Sequence, residues 1–152
     1  MLIKDIVNQK NFAFYREAAD WKDAVRKCCQ PMVVNGVIGE DYAERVIECV
    51  KKYGPYIVIL PGVAIPHCNE SCELAYKTAI GFAKFEKPVI FDKEDKEKNA
   101  TVFFTLSATD HNKHLENLLK LSSILEDGKI LGQLFRARSE ADLLKIDQQI
   151  KL

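Results

Sequence analysis

From Asp20 onward apolar residues recur every third or fourth position, so that Trp21, Ala24, Val25 and Cys28 line one side of a helix that weakens near Pro31. A second helix is predicted from Gly39 or Glu40 to Tyr53, with Tyr42, Val46, Ile47 and Val50 on one face and Gly54-Pro55 as its stop. The period then changes. Tyr56-Ile57-Val58-Ile59-Leu60 is a short run rich in β-branched residues and bounded by Pro55 and Pro61, the pattern of a buried strand. Thr78 to Phe85 and Ala100 to Leu106 also read as strands, while Pro88-Val89-Ile90-Phe91 is too short to assign. The alternating aromatics of Asn11 to Tyr15 suit an edge strand. After Leu106 helical spacing returns: Leu115, Leu118, Leu119 and either Ser122 or Leu125 share a face, and further helices are predicted over Lys129 to Arg136 and Ser139 to Ile150. Helices at both ends around central strands predict an α/β sandwich with a mixed sheet. No repeat, low-complexity tract or flexible linker marks a second domain, so residues 1–152 are read as a single domain.

Composition narrows the functional classes without choosing one. A chain of 152 residues can bury roughly two thirds of its unfolded surface around one core. Its apolar share of 47% and charged share of 29% are ordinary for a soluble globular protein. Basic and acidic residues balance at 22 each, so no global field draws nucleic acid or an anionic membrane. In the nearest basic run, Lys93, Lys96 and Lys98 alternate with Glu94, Asp95 and Glu97, which reads as a solvated loop. The opening MLIKDIVNQKNF lacks the apolar stretch of a signal peptide, and no segment approaches the ~20 apolar residues of a membrane span. A cytoplasmic location is expected, with no membrane insertion. There the five cysteines (28, 29, 49, 68 and 72) are expected as thiols, and Cys28 and Cys49 read as packing residues.

The stretch with most chemical content is Gly54-Pro-Tyr-Ile-Val-Ile-Leu-Pro-Gly-Val-Ala-Ile-Pro-His67. Pro66 biases Ile65 to an extended conformation, which fixes where His67 points. A histidine set at the end of a strand has its attack geometry arranged in advance, and a neutral imidazole offers one ring lone pair that can attack phosphorus. Spacing by itself favours the plainer alternative, a loop histidine with a satisfied hydrogen bond.

A second group begins at Asp110, a good N-cap, which places His111 and His114 in the first turns of a helix. A helix start attracts anions. If it faces His67, its N–H groups, its dipole and an imidazole would together accommodate a phosphoryl group. The alternative is that His111 and His114 are exposed on a polar face. For His111 that alternative is preferred, and for His114 the two readings balance.

The GVAIPH segment at 62 to 67, the DHNKHLENLLKLSSIL segment at 110 to 125 and the helical tail resemble the enzyme IIA domain of the fructose and mannitol type in the bacterial sugar phosphotransferase system. Within that superfamily the resemblance is nearest to the ascorbate and galactitol-like branch, and it runs from about Ile38 to Ile150. It implies a mixed β-sheet flanked by helices on both faces and an activity needing neither metal nor organic cofactor. It further implies that His67 takes a phosphoryl group from the histidine-containing phosphocarrier protein and passes it to a cysteine of an enzyme IIB, which serves the IIC transporter in carbohydrate uptake. His114 matches the family's second active-site histidine, which assists phosphate binding. Lys51 stands where mannitol-type members carry an arginine; lysine supplies charge but no bidentate fork. Cys68 to Cys72 replaces the Ala-Arg of ascorbate-branch relatives and removes a positive charge, and His111 maps to no family residue.

Three other readings compete. His67, Cys68, Cys72 and His114 form a conceivable zinc set, although only one short ligand spacer exists where structural sites commonly use two. A regulatory IIA-like protein would use the phosphorylation state of His67 to control partner binding rather than to serve a IIB. A non-phosphorylatable binding module is disfavoured by the intact motifs.

Overall fold

The chain runs α1 (Leu2–Asn8), β1 (Phe12–Tyr15), α2 (Trp21–Val34), α3 (Tyr42–Tyr53), β2 (Val58–Leu60), β3 (Gly62–Ala64), β4 (Ala79–Ile90), β5 (Asn99–Ser107), α4 (His111–Glu126), α5 (Gly128–Arg136) and α6 (Glu140–Gln149). This is a computed structural model in which residues 2–68 and 73–150 are described. The strands form one sheet in the order β1-β4-β5-β3-β2. It is mixed, as expected: β1 is parallel to β4 and β3 to β5, whereas β4/β5 and β2/β3 are antiparallel.

Strand alternation divides the core in two. Phe82 and Phe104, register partners on the central strands, meet edge to face at 5.4 Å and pack with α1, α4, α5 and α6. Their neighbours Ala83, Phe85 and Phe103 point the other way, toward α2 and α3. Helices therefore cover both faces. Among the described residues no helix is long and apolar enough to cross a membrane.

Several elements differ from the sequence expectations. Helix α1 was not anticipated; Leu2, Ile3, Ile6 and Val7 bury its inner face. Helix α2 does not weaken at Pro31 but continues to Val34. Proline cannot donate to the Lys27 carbonyl, and the Tyr15 hydroxyl donates to it instead at 2.9 Å, while Met32 anchors the extra turn in the core. The third helix starts at Tyr42, after Asp41, rather than at Gly39 or Glu40.

The run at 56 to 60 is not a buried strand. Only Val58–Leu60 pairs, at the sheet edge, and Ile59 is 44% exposed. Its partner β3 falls in a stretch to which the sequence assigns no element, because a three-residue strand is too short to show a period. Strand β4 extends through Pro88 to Ile90, with a register shift between Lys84 and Val89 that accommodates the proline. On α4 the buried stripe is Asn117, Leu121 and Ile124, with Leu118 and Leu125 flanking it, whereas Leu115 and Leu119 are exposed. Leucines occur around so much of this helix that periodicity alone does not choose the inward side.

Candidate functional site

The peptide from Ile65 to His67 leaves the sheet under tight control. Strand β3 ends at Ala64, and the Ile65 N–H donates to the Ile57 carbonyl at 2.7 Å. The next three carbonyls each accept one bond. Ile65 O lies 2.6 Å from His67 Nδ1, Pro66 O accepts the Leu106 N–H at 3.0 Å, and His67 O accepts the Tyr56 hydroxyl at 2.5 Å. The Leu106 peptide is itself held from α3, since the buried Tyr42 hydroxyl donates to Leu106 O at 2.6 Å.

Gly62 is required where it stands. Its φ is +92°, and a Cβ there would lie 2.8 Å from the Phe135 ring. Backbone conformation and close approach both oppose a side chain there, so the glycine of the GVAIPH segment favours the path of β3 into His67.

A carbonyl oxygen can only accept, so the short Nδ1 contact assigns the ring proton to Nδ1. In the neutral ring the lone pair is then at Nε2. The imidazole is half-buried, and the Tyr56 ring stands perpendicular to it with centroids 5.2 Å apart. Burial, followed by the nearby Cys49 and Cys68 thiols, pushes the Tyr56 hydroxyl pKa upward, so Tyr56 remains a donor throughout the neutral range.

Because β3 and β5 are parallel, both leave the sheet at the same end, and β5 leads directly into α4. The turn between them is set by Thr78, whose hydroxyl oxygen accepts the N–H groups of Thr109 and Asp110, each at 2.8 Å. Asp110 then caps α4, accepting the Lys113 N–H at 3.2 Å as its sequence position predicts. The half-buried His114 feels both other histidines: burial first, then His67 and then His111 lower its pKa below the usual histidine value. The fold thus brings His67 and His114 into one electrostatic neighbourhood, with the exposed His111 at its rim.

Lys51 lies exposed in the last turn of α3; the Arg26 hydrogen bond chiefly lowers the pKa of Glu44, and the Lys51 charge adds a smaller contribution. Cys68 is half-buried against the α2/α3 core. Cys72 lies outside the described residues. Cys28 is buried in the core as a packing residue, and Cys49 is half-buried close to Tyr56. Sequence reasoning missed Tyr56 and Thr78. Each acts through a contact far along the chain, which no local pattern records. A cavity of about 780 Å³ between α1, α4, α5 and α6, lined by Leu2, Leu119, Ile124 and Ile130 among others, includes neither His67 nor His114.

Residues 5–149 match the family model described as phosphoenolpyruvate-dependent sugar phosphotransferase system, EIIA 2. This chain belongs to that family. The enzyme IIA chain is 28% identical over 148 residues to the ascorbate-specific PTS system EIIA component of Shigella boydii, covering 96% of this chain and 95% of the relative. It is 30% identical over 146 residues to the mannitol-specific cryptic phosphotransferase enzyme IIA component of Escherichia coli, covering 96% and 97%. Among solved structures it resembles the E. coli mannitol-specific cryptic enzyme IIA CmtB, with a TM-score of 0.83 at 29% identity over 96% of this chain and 97% of that one. The IIA fold also recurs in the E. coli complex of enzyme IIAMTL with phosphorylated enzyme IIBMTL, at a TM-score of 0.75, 20% identity and 90% and 93% coverage. The enzyme IIA chain is accordingly a component of the sugar phosphotransferase system.

Proposed function

We propose that His67 is the phosphoryl carrier of this IIA chain, taking the group on Nε2 from the histidine-containing phosphocarrier protein and delivering it to a cysteine of an enzyme IIB for IIC-mediated carbohydrate uptake. The observation that supports this most is the 2.6 Å contact from His67 Nδ1 to Ile65 O, which presents a lone pair at the opposite nitrogen of a ring held at a strand end.

In the first step the Nε2 lone pair forms a bond to phosphorus as the donor's P–N bond breaks, and the donor nitrogen keeps the electron pair. The proton on Nδ1 stays in place. In the second step a IIB cysteine thiolate attacks the same phosphorus, and Nε2 regains its lone pair. Transfer of this kind depends chiefly on alignment and on stabilising the equatorial oxygens. His114, half-buried in the first turns of α4, offers a ring N–H to those oxygens beside the positive end of that helix. Lys51 is assigned an accessory electrostatic role.

Surface shape also favours protein partners. Leu115 and Leu119, 49% and 64% exposed, add apolar area along the helix that begins beside the histidines. The likeness to a IIA fold solved with a phosphorylated IIB supports the same acceptor class.

Incubation with phosphoenolpyruvate and the general phosphotransferase proteins should label the chain with acid-labile, base-stable phosphate, and added IIB should then acquire it on cysteine. Labelling that persists unchanged in His67→Ala would exclude His67. Labelling at His67 without passage to any IIB would favour the regulatory reading.

A further inference from the structure

We infer that Tyr56 is the positioning residue for the attacking imidazole, clamping the His67 peptide through its hydroxyl and the His67 ring through its own ring. The inference rests on His67 being the phosphoryl acceptor. Two independent contacts carry it: the hydroxyl donates to His67 O at 2.5 Å, and the two rings meet at 85° with centroids 5.2 Å apart.

The clamp acts where the sheet no longer does. Pairing along β3 ends at Ala64, and the Leu106 N–H reaches only as far as the Pro66 carbonyl. His67 O is the next acceptor along the chain, and it is held by a side chain instead of a strand. Tyr56 and Ile57 together grip both ends of the segment, since Ile57 O receives the Ile65 N–H at 2.7 Å. A rotation about the His67 N–Cα bond would move both the carbonyl held by the hydroxyl and the ring whose Nδ1 meets Ile65 O.

Tyr56 is itself well anchored. Its N–H donates to Gly54 O at 2.8 Å, and its ring packs edge to face on Tyr53 at 6.5 Å. Gly54, with φ of +83°, caps α3, so the clamp is tied to the end of that helix. Tyr56 neither donates to phosphate nor moves a proton in this scheme. It narrows the orientations of a ring whose Nε2 must lie in line with an incoming phosphorus, and misplacement by about 1 Å can cost on the order of a hundredfold in rate.

The test compares Tyr56→Phe, which keeps the ring and removes the hydroxyl, with Tyr56→Leu, which removes both contacts. Single-turnover transfer from the phosphorylated phosphocarrier protein should slow roughly tenfold in the first and roughly a hundredfold in the second, with half-saturation by the donor little changed. Nitrogen-15 NMR of the unphosphorylated protein should show His67 in the single Nδ1–H tautomer in wild type, with that preference eroded in Tyr56→Leu. Wild-type rates in Tyr56→Phe, or rate losses that follow only the loss of thermal stability while the ring signals stay unchanged, would overturn the inference. If Tyr56→Leu does not fold, Tyr56→Phe decides alone. Absence of label on wild-type His67 would instead remove the acceptor assignment, and the tautomer measurement, made without phosphate, would still report on the clamp.

Discussion

His67 Nδ1 lies 2.6 Å from the carbonyl oxygen of Ile65, a residue two positions earlier in the same chain. This bond distinguishes the two ring nitrogens before any partner arrives. The phosphorylated protein should therefore carry its phosphorus on Nε2. Phosphorus–nitrogen couplings in nitrogen-15-labelled protein check the expectation; coupling to Nδ1 would mean that the Ile65 contact breaks during transfer.

His114 should titrate below the free histidine value of about 6.5, because burial and the neighbouring His67 and His111 all oppose its protonation. The unfolded chain then takes up this proton first as pH falls. The associated stability is fully present above the unfolded pKa and is lost as pH falls through the folded pKa. Urea midpoints at descending pH should drop more for wild type than for His114→Gln. Phosphorylation of His67 places negative charge nearby and should move the His114 pKa upward, which proton NMR of its ring can follow.

Gly62→Ala should destabilise the protein by about 2–4 kcal/mol, combining backbone strain with overpacking against Phe135. Phe135→Leu added to it should restore part of the loss by relieving the 2.8 Å approach, while the cost of φ +92° remains. Denaturant titration of the single and double variants measures both. Phosphoryl transfer should fall in Gly62→Ala even where the protein remains folded, because β3 leads straight into the acceptor.

Thr78→Val removes the oxygen that receives the Thr109 and Asp110 N–H groups. Water can reach this half-buried position, so the stability loss should be limited to about 1 kcal/mol. Transfer should suffer more than stability, since the turn sets where α4 and His114 begin. Lys51→Ala, at an exposed helix position, should slow transfer less than either Thr78→Val or His114→Ala. Parallel stopped-flow and denaturation measurements separate the two effects.

Local chemistry was legible where a residue's role depends on its near neighbours. Asp110 caps α4 as its position predicts, and Ala100 to Leu106 reads correctly as a strand. Pro31 misleads because the rule against proline in helices assumes that the orphaned carbonyl stays unpaired, whereas Tyr15 reaches it from β1. The leucines of α4 misled for a related reason: which face is buried depends on where the helix docks, and Leu115 and Leu119 are left outside. Tyr56 read as the first residue of a strand, since nothing local marks it as the partner of a residue eleven positions later.

By itself the sequence determined that helices surround a central set of strands and that His67 follows an extended, proline-constrained segment, because both properties arise from short-range sterics and from periodicity. Only the tertiary structure decided which groups meet that histidine. The parallel pairing of β3 with β5 brings the Leu106 N–H to Pro66 and delivers α4 to the same end of the sheet, while the end of α3 brings Tyr56 across from another direction. Such meetings depend on long-range strand register and helix docking, and their energies are shared across the whole core rather than written at the residues that come together.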